Sequence, residues 1–219
     1  MKNHMDVTTE PDRESLVRSR QRVADHGEVF TPAWMVDDML DLVSDEASRI
    51  ESRFLEPACG SGNFLREVLR RKLLEVKRRY GNDDFKKSHY AALAVMSIYG
   101  IELLEDNASE CRQNLLDVLC SEMRFERNSE VVQACKGVLA INIVHGDALA
   151  MTDHVGEPIS FAGWSYLGSG RFQQRIFSYG TLTQMSSWEP DSLFSTLGKH
   201  EIFTPVSDVR TVTLKELGQ

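Results

Sequence analysis

The chain has 219 residues, 42% of them hydrophobic and 26% charged, a composition that suits one globular domain with an appendage and excludes a disordered, collagenous or solenoid protein. No apolar run approaches the ~18 residues of a membrane helix, and the opening MKNHMDVTTEPDRES lacks the apolar stretch of a secretory signal. A net charge of −8 argues against bulk electrostatic binding of nucleic acid, while leaving room for a local basic surface.

Residues 1–26 are polar and rich in both charges, a loose leader or a short solvated helix. In AWMVDDMLDLV (33–43), Trp34, Met35, Met39, Leu40 and Val43 recur at helical spacing behind Thr31 and Pro32. The step Arg53–Glu56 reads as a strand that runs into the turn PACGSGN. A helix follows, with Phe64, Leu65, Val68, Leu69, Leu73 and Val76 on one face. Its other face is basic, and residues 64–90 hold nine Lys/Arg against four Asp/Glu. A polar break at 81–84 precedes a helix (about 86–96) that contains AALAVM. SIYGIEL (97–103) predicts a strand, Glu105 to about Met123 a helix, about 129–137 another helix, and AINIVHGD (140–147) a strand. Strands alternating with helices predict an α/β fold, a parallel sheet flanked by helices. Residues 155–219 differ. They hold nine of the eighteen aromatic residues, and WSYLGSGRFQQRIF predicts a β-hairpin turning at Gly168-Ser169-Gly170.

Cys59, Cys111, Cys120 and Cys135 form no CxxC pair and are expected as reduced thiols of a cytoplasmic protein. The six histidines form no metal set, and His26, His145 and His200 suit loops or strand ends. The run RRKLLEVKRRY (70–80) suits a solvated helix face better than a DNA-backbone contact.

EPACGSGNF (56–64) carries the most chemistry. Gly60 and Gly62 follow a strand and open a helix, so the backbone can take φ > 0 and a ligand can approach without meeting a Cβ. The helix N-terminus adds unpaired N–H groups suited to a carboxylate, ribose or phosphate. A bare Gly-x-Gly also serves as a plain tight turn. The third glycine of a dinucleotide fingerprint is replaced by Phe64 and Leu65, and no Walker loop occurs. Glu102 ends the next strand, where a carboxylate can accept both ribose hydroxyls or simply be solvated. It lies 40 residues beyond Gly62, twice the usual spacing, and the intervening helix accounts for the excess. Asp147 ends the third strand, placed to accept from an adenine amine or to cap its own loop.

In combination these segments resemble the S-adenosylmethionine-dependent adenine-N6 DNA methyltransferases of restriction–modification systems, in the subgroup whose cofactor motifs come first. GEVFTP (27–32), EPACGSGNF (56–64), IYGIELLEDNASECRQNLL (98–116) and NIVHGDAL (142–149) are similar to four of that family's motifs, in order. The resemblance implies a partial Rossmann-like methyltransferase fold. It divides the chain into a leader (1–26), a cofactor-binding core (27–154) and an aromatic, glycine-rich extension (155–219). It also implies a cofactor site. Phe30 and Thr31 belong to the first motif, with Thr31 at the cofactor's methionine carboxylate. The loop Pro57, Ala58, Cys59, Gly60, Ser61 and Gly62 would pass under the methionine and ribose, and Phe64 would pack beside the cofactor. Glu102 would hold the ribose hydroxyls, Asp147 the adenine amine and Glu56 the ammonium. Cys59 suits a small side chain in that loop, not a nucleophile.

The family's Asn/Asp-Pro-Pro-Tyr/Phe tetrad is missing. None of the six prolines follows Asn or Asp, and no two are adjacent. In the family that tetrad accepts the hydrogens of the target amine and stacks on the flipped base. The chain is therefore similar to the N-terminal half of such an enzyme and carries no catalytic residue of its own. The expected function is cofactor binding within a split methyltransferase, completed by a protein partner or by self-association, with DNA bound by the assembled complex. The rival expectation is an inactive regulatory or structural subunit.

Overall fold

Three short parallel strands form the centre of the protein: β1 (Phe54–Glu56), β2 (Ile98–Glu102) and β3 (Ile143–Asp147). The computed structural model describes residues 21, 22, 24, 31–180 and 209–219. A two-residue strand, β4 (Thr152–Asp153), pairs antiparallel with β3 and makes the sheet mixed, in the order β1-β2-β3-β4. Helices α1 (Ala33–Asp41), α2 (Ser44–Ser48), α3 (Asn63–Tyr80), α4 (Asp84–Met96), α5 (Glu105–Met123) and α6 (Glu130–Asn142) flank it. The fold is thus α/β, as expected, with β4 as an addition.

The sheet register sorts the side chains. Phe54, Glu56, Ile98, Gly100, Glu102 and His145 share one face, and Leu55, Tyr99, Ile101 and Val144 the other. On the first face the apolar stripe of α3 (Leu65, Val68, Leu69, Leu73, Val76) joins Ile98 and the buried residues of α4, α5 and α6 in the main core. The second face carries a smaller cluster of Tyr99, Ile101, Ile159, Phe161 and Tyr179.

Residues beyond β4 supply that cover. Strands β5 (Ser160–Gly168) and β6 (Arg171–Ser178) form the expected hairpin, and β7 (Arg210–Thr213) pairs with the first half of β6. A one-turn helix, α7 (Leu214–Leu217), comes next, started by a capping box between Thr213 and Glu216. Trp164, Phe172, Val212 and Leu214 enter the main core, and the Tyr99 hydroxyl donates to the carbonyl of Ala162 at 2.9 Å. Five aromatics of this segment (Phe161, Trp164, Phe172, Phe177 and Tyr179) are therefore buried. Trp188, Phe194 and Phe203 lie outside the described residues.

Several expectations are corrected. Helix α1 buries Val36 and Leu40, and leaves Trp34, Met35, Met39 and Val43 exposed. Val36 and Leu40 pack into the main core, which sets the rotation of α1, and Arg71 of α3 bonds Asp41 at 2.8 Å and Asp37 at 3.3 Å beside them. Helix α4 starts two residues early because the Asp83 side chain caps it, accepting from the N–H of Lys86 at 2.9 Å. Helix α6 runs through to Asn142, over residues expected in a strand, because the buried Asn142 side-chain amide donates to the carbonyls of Met96 and Ile98.

The basic run of α3 is internally satisfied. Arg70 pairs with Glu67 and Glu122, Lys77 with Glu122 at 2.6 Å, and Arg78 and Arg79 with Glu75. Lys72 is fully buried instead. Its ammonium donates to the carbonyls of Arg49, Ile50 and Ser52 and lies 5.2 Å from the centre of the Phe54 ring. Among the described residues no helix is long and apolar enough to cross a membrane.

Candidate functional site

The loop from Pro57 to Gly62 stands at the carboxyl ends of β1 and β2. Gly60 (φ 53°) and Gly62 (φ 87°) both take left-handed backbone, which lets the chain reverse from strand to helix within a few residues. Gly62 is also the N-cap of α3, so an 18-residue helix opens directly on the loop. The first turn of α3 holds no acidic side chain, and its partial positive charge meets none there.

Strand β2 and helix α5 hold the loop. The N–H of Cys59 donates to the carbonyl of Ile101 at 3.0 Å, and the N–H of Gly60 to Glu102 Oε2 at 2.8 Å. Asn114 of α5 donates to the carbonyl of Ser61 at 2.9 Å. Sulfur fills the space between. The free thiols of Cys59 and Cys111 of α5 lie against each other, and hydrogen bonding to Cys111 together with burial holds Cys59 well above the usual thiol range. A Cβ added at Gly62 would stand 2.7 Å from Cys111 Sγ, and one at Gly100 2.8 Å from Cys59 Sγ. These glycines are required by packing as well as by the turn.

Glu102 is 7% exposed and accepts three hydrogen bonds. Its Oε1 accepts from the N–H of Leu104 at 3.1 Å and from the side-chain amide of Asn107 at 3.3 Å, while Oε2 holds Gly60. Glu56 is the contrast. Its Oε2 is buried and has no hydrogen-bond partner among the described residues. Burial, with the charge of Glu102 beside it, pushes the Glu56 carboxyl up to about 7 from its ordinary 4.5. A buried acceptor left unpaired costs about 1–3 kcal/mol, so a ligand that donates to it recovers that energy.

The structure thus brings together Glu56, Cys59, Gly60, Ser61, Gly62 and Glu102, with Pro57 and Ala58 exposed at the rim. Phe64 lies on the first turn of α3, half-buried against the main core. Asp147 Oδ1 accepts from the N–H groups of Leu149 (2.8 Å) and Ala150 (3.1 Å), the loop-capping arrangement. Thr31 precedes α1, and no hydrogen bond among the described residues joins it to the loop. Phe30 lies outside the described residues. Arg22 of the leader reaches Asp106 on the first turn of α5 with two hydrogen bonds of 2.8 and 3.2 Å.

Sequence reasoning missed Asn107, Cys111 and Asn114. They stand at i, i+4 and i+7 along α5, so one helix face meets the loop. The usable signal was two amides in register with the apolar stripe Ala108, Cys111, Leu115 and Leu119, all buried. Among the described residues no cluster of His, Cys, Asp and Glu could hold a metal ion.

Two left-handed glycines, a helix opening on them, one anchored carboxylate and one buried carboxyl oxygen in want of a donor fit a ligand with a diol and an ammonium group. No protein-family model, no curated protein and no solved structure matches this chain.

Proposed function

We propose that this chain is the S-adenosylmethionine-binding component of an adenine-N6 DNA methyltransferase of a restriction–modification or defence system. Its catalytic tetrad would come from outside these residues. The observation that carries the reading is the buried, unpaired Glu56 oxygen beside the anchored Glu102, at a glycine loop whose sequence is similar to the family's cofactor motif. The β1-β2-β3 order is consistent with one half of a Rossmann-like methyltransferase sheet.

Each group has a role in this reading. Glu102, held by three N–H donors, accepts the ribose hydroxyls. Glu56 receives the ammonium, and Asp147 the adenine amine through its second oxygen. The loop backbone and the α3 N-terminus lie along the methionine portion, with Phe64 beside it. When bound, the cofactor supplies a sulfonium methyl group for transfer. No Asn-Pro or Asp-Pro pair is present to localise the lone pair of a target amine, so this chain binds and orients the cofactor without acting on adenine.

Two features support completion by another chain. Among the described residues β1 is paired only on its β2 side, and the adjoining Leu55 is exposed. An added strand along that edge would pair its free N–H and C=O groups. The test is calorimetric titration of the purified chain with S-adenosylmethionine. Micromolar binding is expected, and no heat and no thermal shift at millimolar ligand overturn the reading. A tritiated-methyl assay on mixed genomic DNA is expected to show no adenine methylation by this chain alone.

A further inference from the structure

Resting on that reading, we propose that Glu56 is a proton-carrying gate in the cofactor site: the ligand's ammonium displaces its proton, so that binding releases a proton to solvent.

The argument starts from an asymmetry between two carboxyl groups on one sheet face. Glu56 and Glu102 end neighbouring strands, and β1–β2 pairing sets Glu56 opposite Gly100, two residues from Glu102 on the same face. With no Cβ at Gly100, the Cys59 side chain fills the level between them, its Sγ 2.8 Å from where that Cβ would stand. Three N–H donors converge on Glu102, and a carboxylate is the form that can only accept. Among the described residues Glu56 Oε2 has no donor and no water-exposed surface. With like charges on one sheet face and donors for only one of them, the proton stays on Glu56. The other ionisable group beside it is the neutral thiol of Cys59, itself hydrogen-bonded to Cys111. The one charged side chain acting on Glu56 is Glu102, and no Lys, Arg or His among the described residues offsets it. The upward shift of its carboxyl to about 7 agrees with this geometry.

An arriving ammonium changes the balance. It gives Glu56 both a counter-charge and a donor, which favours the carboxylate. The carboxyl O–H bond breaks, its electron pair stays on oxygen, and the proton leaves to buffer. The ammonium keeps its own protons, so charge and protons balance. The coupling has a sign. Below about pH 7 the ligand must displace a bound proton, and its affinity falls about tenfold for each further pH unit. Above that value the affinity levels off until the ligand's own α-amino group loses its proton at about pH 8. Ligands with the ribose and adenine but no amino group engage Glu102 and leave the proton on Glu56.

The experiment is titration calorimetry of the full chain at pH 6.5 in buffers of different ionisation enthalpy, where an α-amino group is still protonated. The probes are S-adenosylmethionine and 5′-deoxy-5′-methylthioadenosine, which lacks the amino acid part. For S-adenosylmethionine the observed enthalpy is expected to depend on the buffer with a slope of more than half a proton released. The slope should vanish with the amine-free nucleoside, whose affinity Glu56→Gln leaves unchanged, and with S-adenosylmethionine in Glu56→Gln, which binds it more weakly through Glu102 and the loop. Binding of S-adenosylmethionine with a buffer-independent enthalpy overturns the gate and leaves the proposed function standing. A slope that persists in Glu56→Gln assigns the proton elsewhere and also overturns it. Absence of binding by either probe to the wild-type chain removes the proposed function itself, and with it the gate.

Discussion

Replacing Gly62 by alanine tests the loop at its tightest point. The residue holds φ 87°, a conformation that costs an L-residue about 1–2 kcal/mol. The new Cβ would also meet Cys111 Sγ at 2.7 Å, and overpacking of this kind costs about 1–3 kcal/mol. Gly62→Ala is therefore expected to lose about 2–5 kcal/mol. Cys111→Ala alone removes a buried sulfur, at about 1 kcal/mol. In the double variant the sulfur is gone and the Cβ at position 111 lies 3.5 Å away, an ordinary contact. The steric part should vanish, leaving a favourable coupling of about 1–3 kcal/mol between the two substitutions. Urea denaturation followed by circular dichroism measures all four corners of the cycle. Strict additivity would refute the claim that sulfur and glycine share one space. A loss of less than about 0.5 kcal/mol for Gly62→Ala, the size expected of an unremarkable surface change, would refute the loop geometry as well.

Lys72→Met should cost about 2 kcal/mol or more, because it leaves the carbonyls of Arg49, Ile50 and Ser52 without their donor. Burial pulls the Lys72 ammonium down to about 7 from 10.5, so the unfolded chain binds the extra proton between those values. Wild-type stability relative to Lys72→Met should therefore rise from pH 7 toward 10.5, and urea melts at pH 7 and 9.5 that show the opposite trend would mean that the three carbonyls hold the charge. Glu102→Ala should weaken S-adenosylmethionine by about 1–3 kcal/mol, read by calorimetry, and an unchanged affinity would remove Glu102 from the site. A thiol-reactive chromophore should label the half-buried Cys120 of the native chain first, with the buried Cys59, Cys111 and Cys135 reacting only on denaturation; early labelling of Cys59 would contradict its hydrogen bonding to Cys111.

Much of this was legible wherever pattern and local chemistry agreed. Strand β2 and helix α5 fall within a residue of their expected bounds, since an acidic helix start at Glu105 and Asp106 marks the transition after Glu102. The glycine turn and Glu102 came from the strand–turn–helix pattern and a strand end, and Glu56 from the family resemblance. What was hidden depended on partners distant in sequence. Nothing local says that Asn142 will reach the carbonyls of Met96 and Ile98, so the pattern cuts its helix short and begins its strand early. Nothing local to α1 says that Val36 and Leu40, out of its apolar residues, will pack into the main core and set its rotation. The Thr213–Glu216 box is visible as T-x-x-E, yet with so short an apolar run behind it the helix α7 goes unread. The unpaired state of Glu56 Oε2 has no sequence signature, because it is set by what three other elements fail to bring near it.

The bond between Arg22 and Asp106 bears on the order of folding. It spans 84 residues, and closing a flexible loop of that length costs about 4 kcal/mol from chain entropy alone. A partly exposed ion pair returns about 1 kcal/mol at most. The pair therefore cannot bring the leader to α5 in an otherwise unfolded chain. It becomes favourable only after β1, α3, α4, β2 and α5 have shortened the path between its ends. Arg22 then docks late in refolding, in a step that salt weakens, after the sheet that carries the glycine loop has formed. In a refolding time course the substitution Arg22→Ala should leave the main phase untouched and alter only the later, salt-sensitive one.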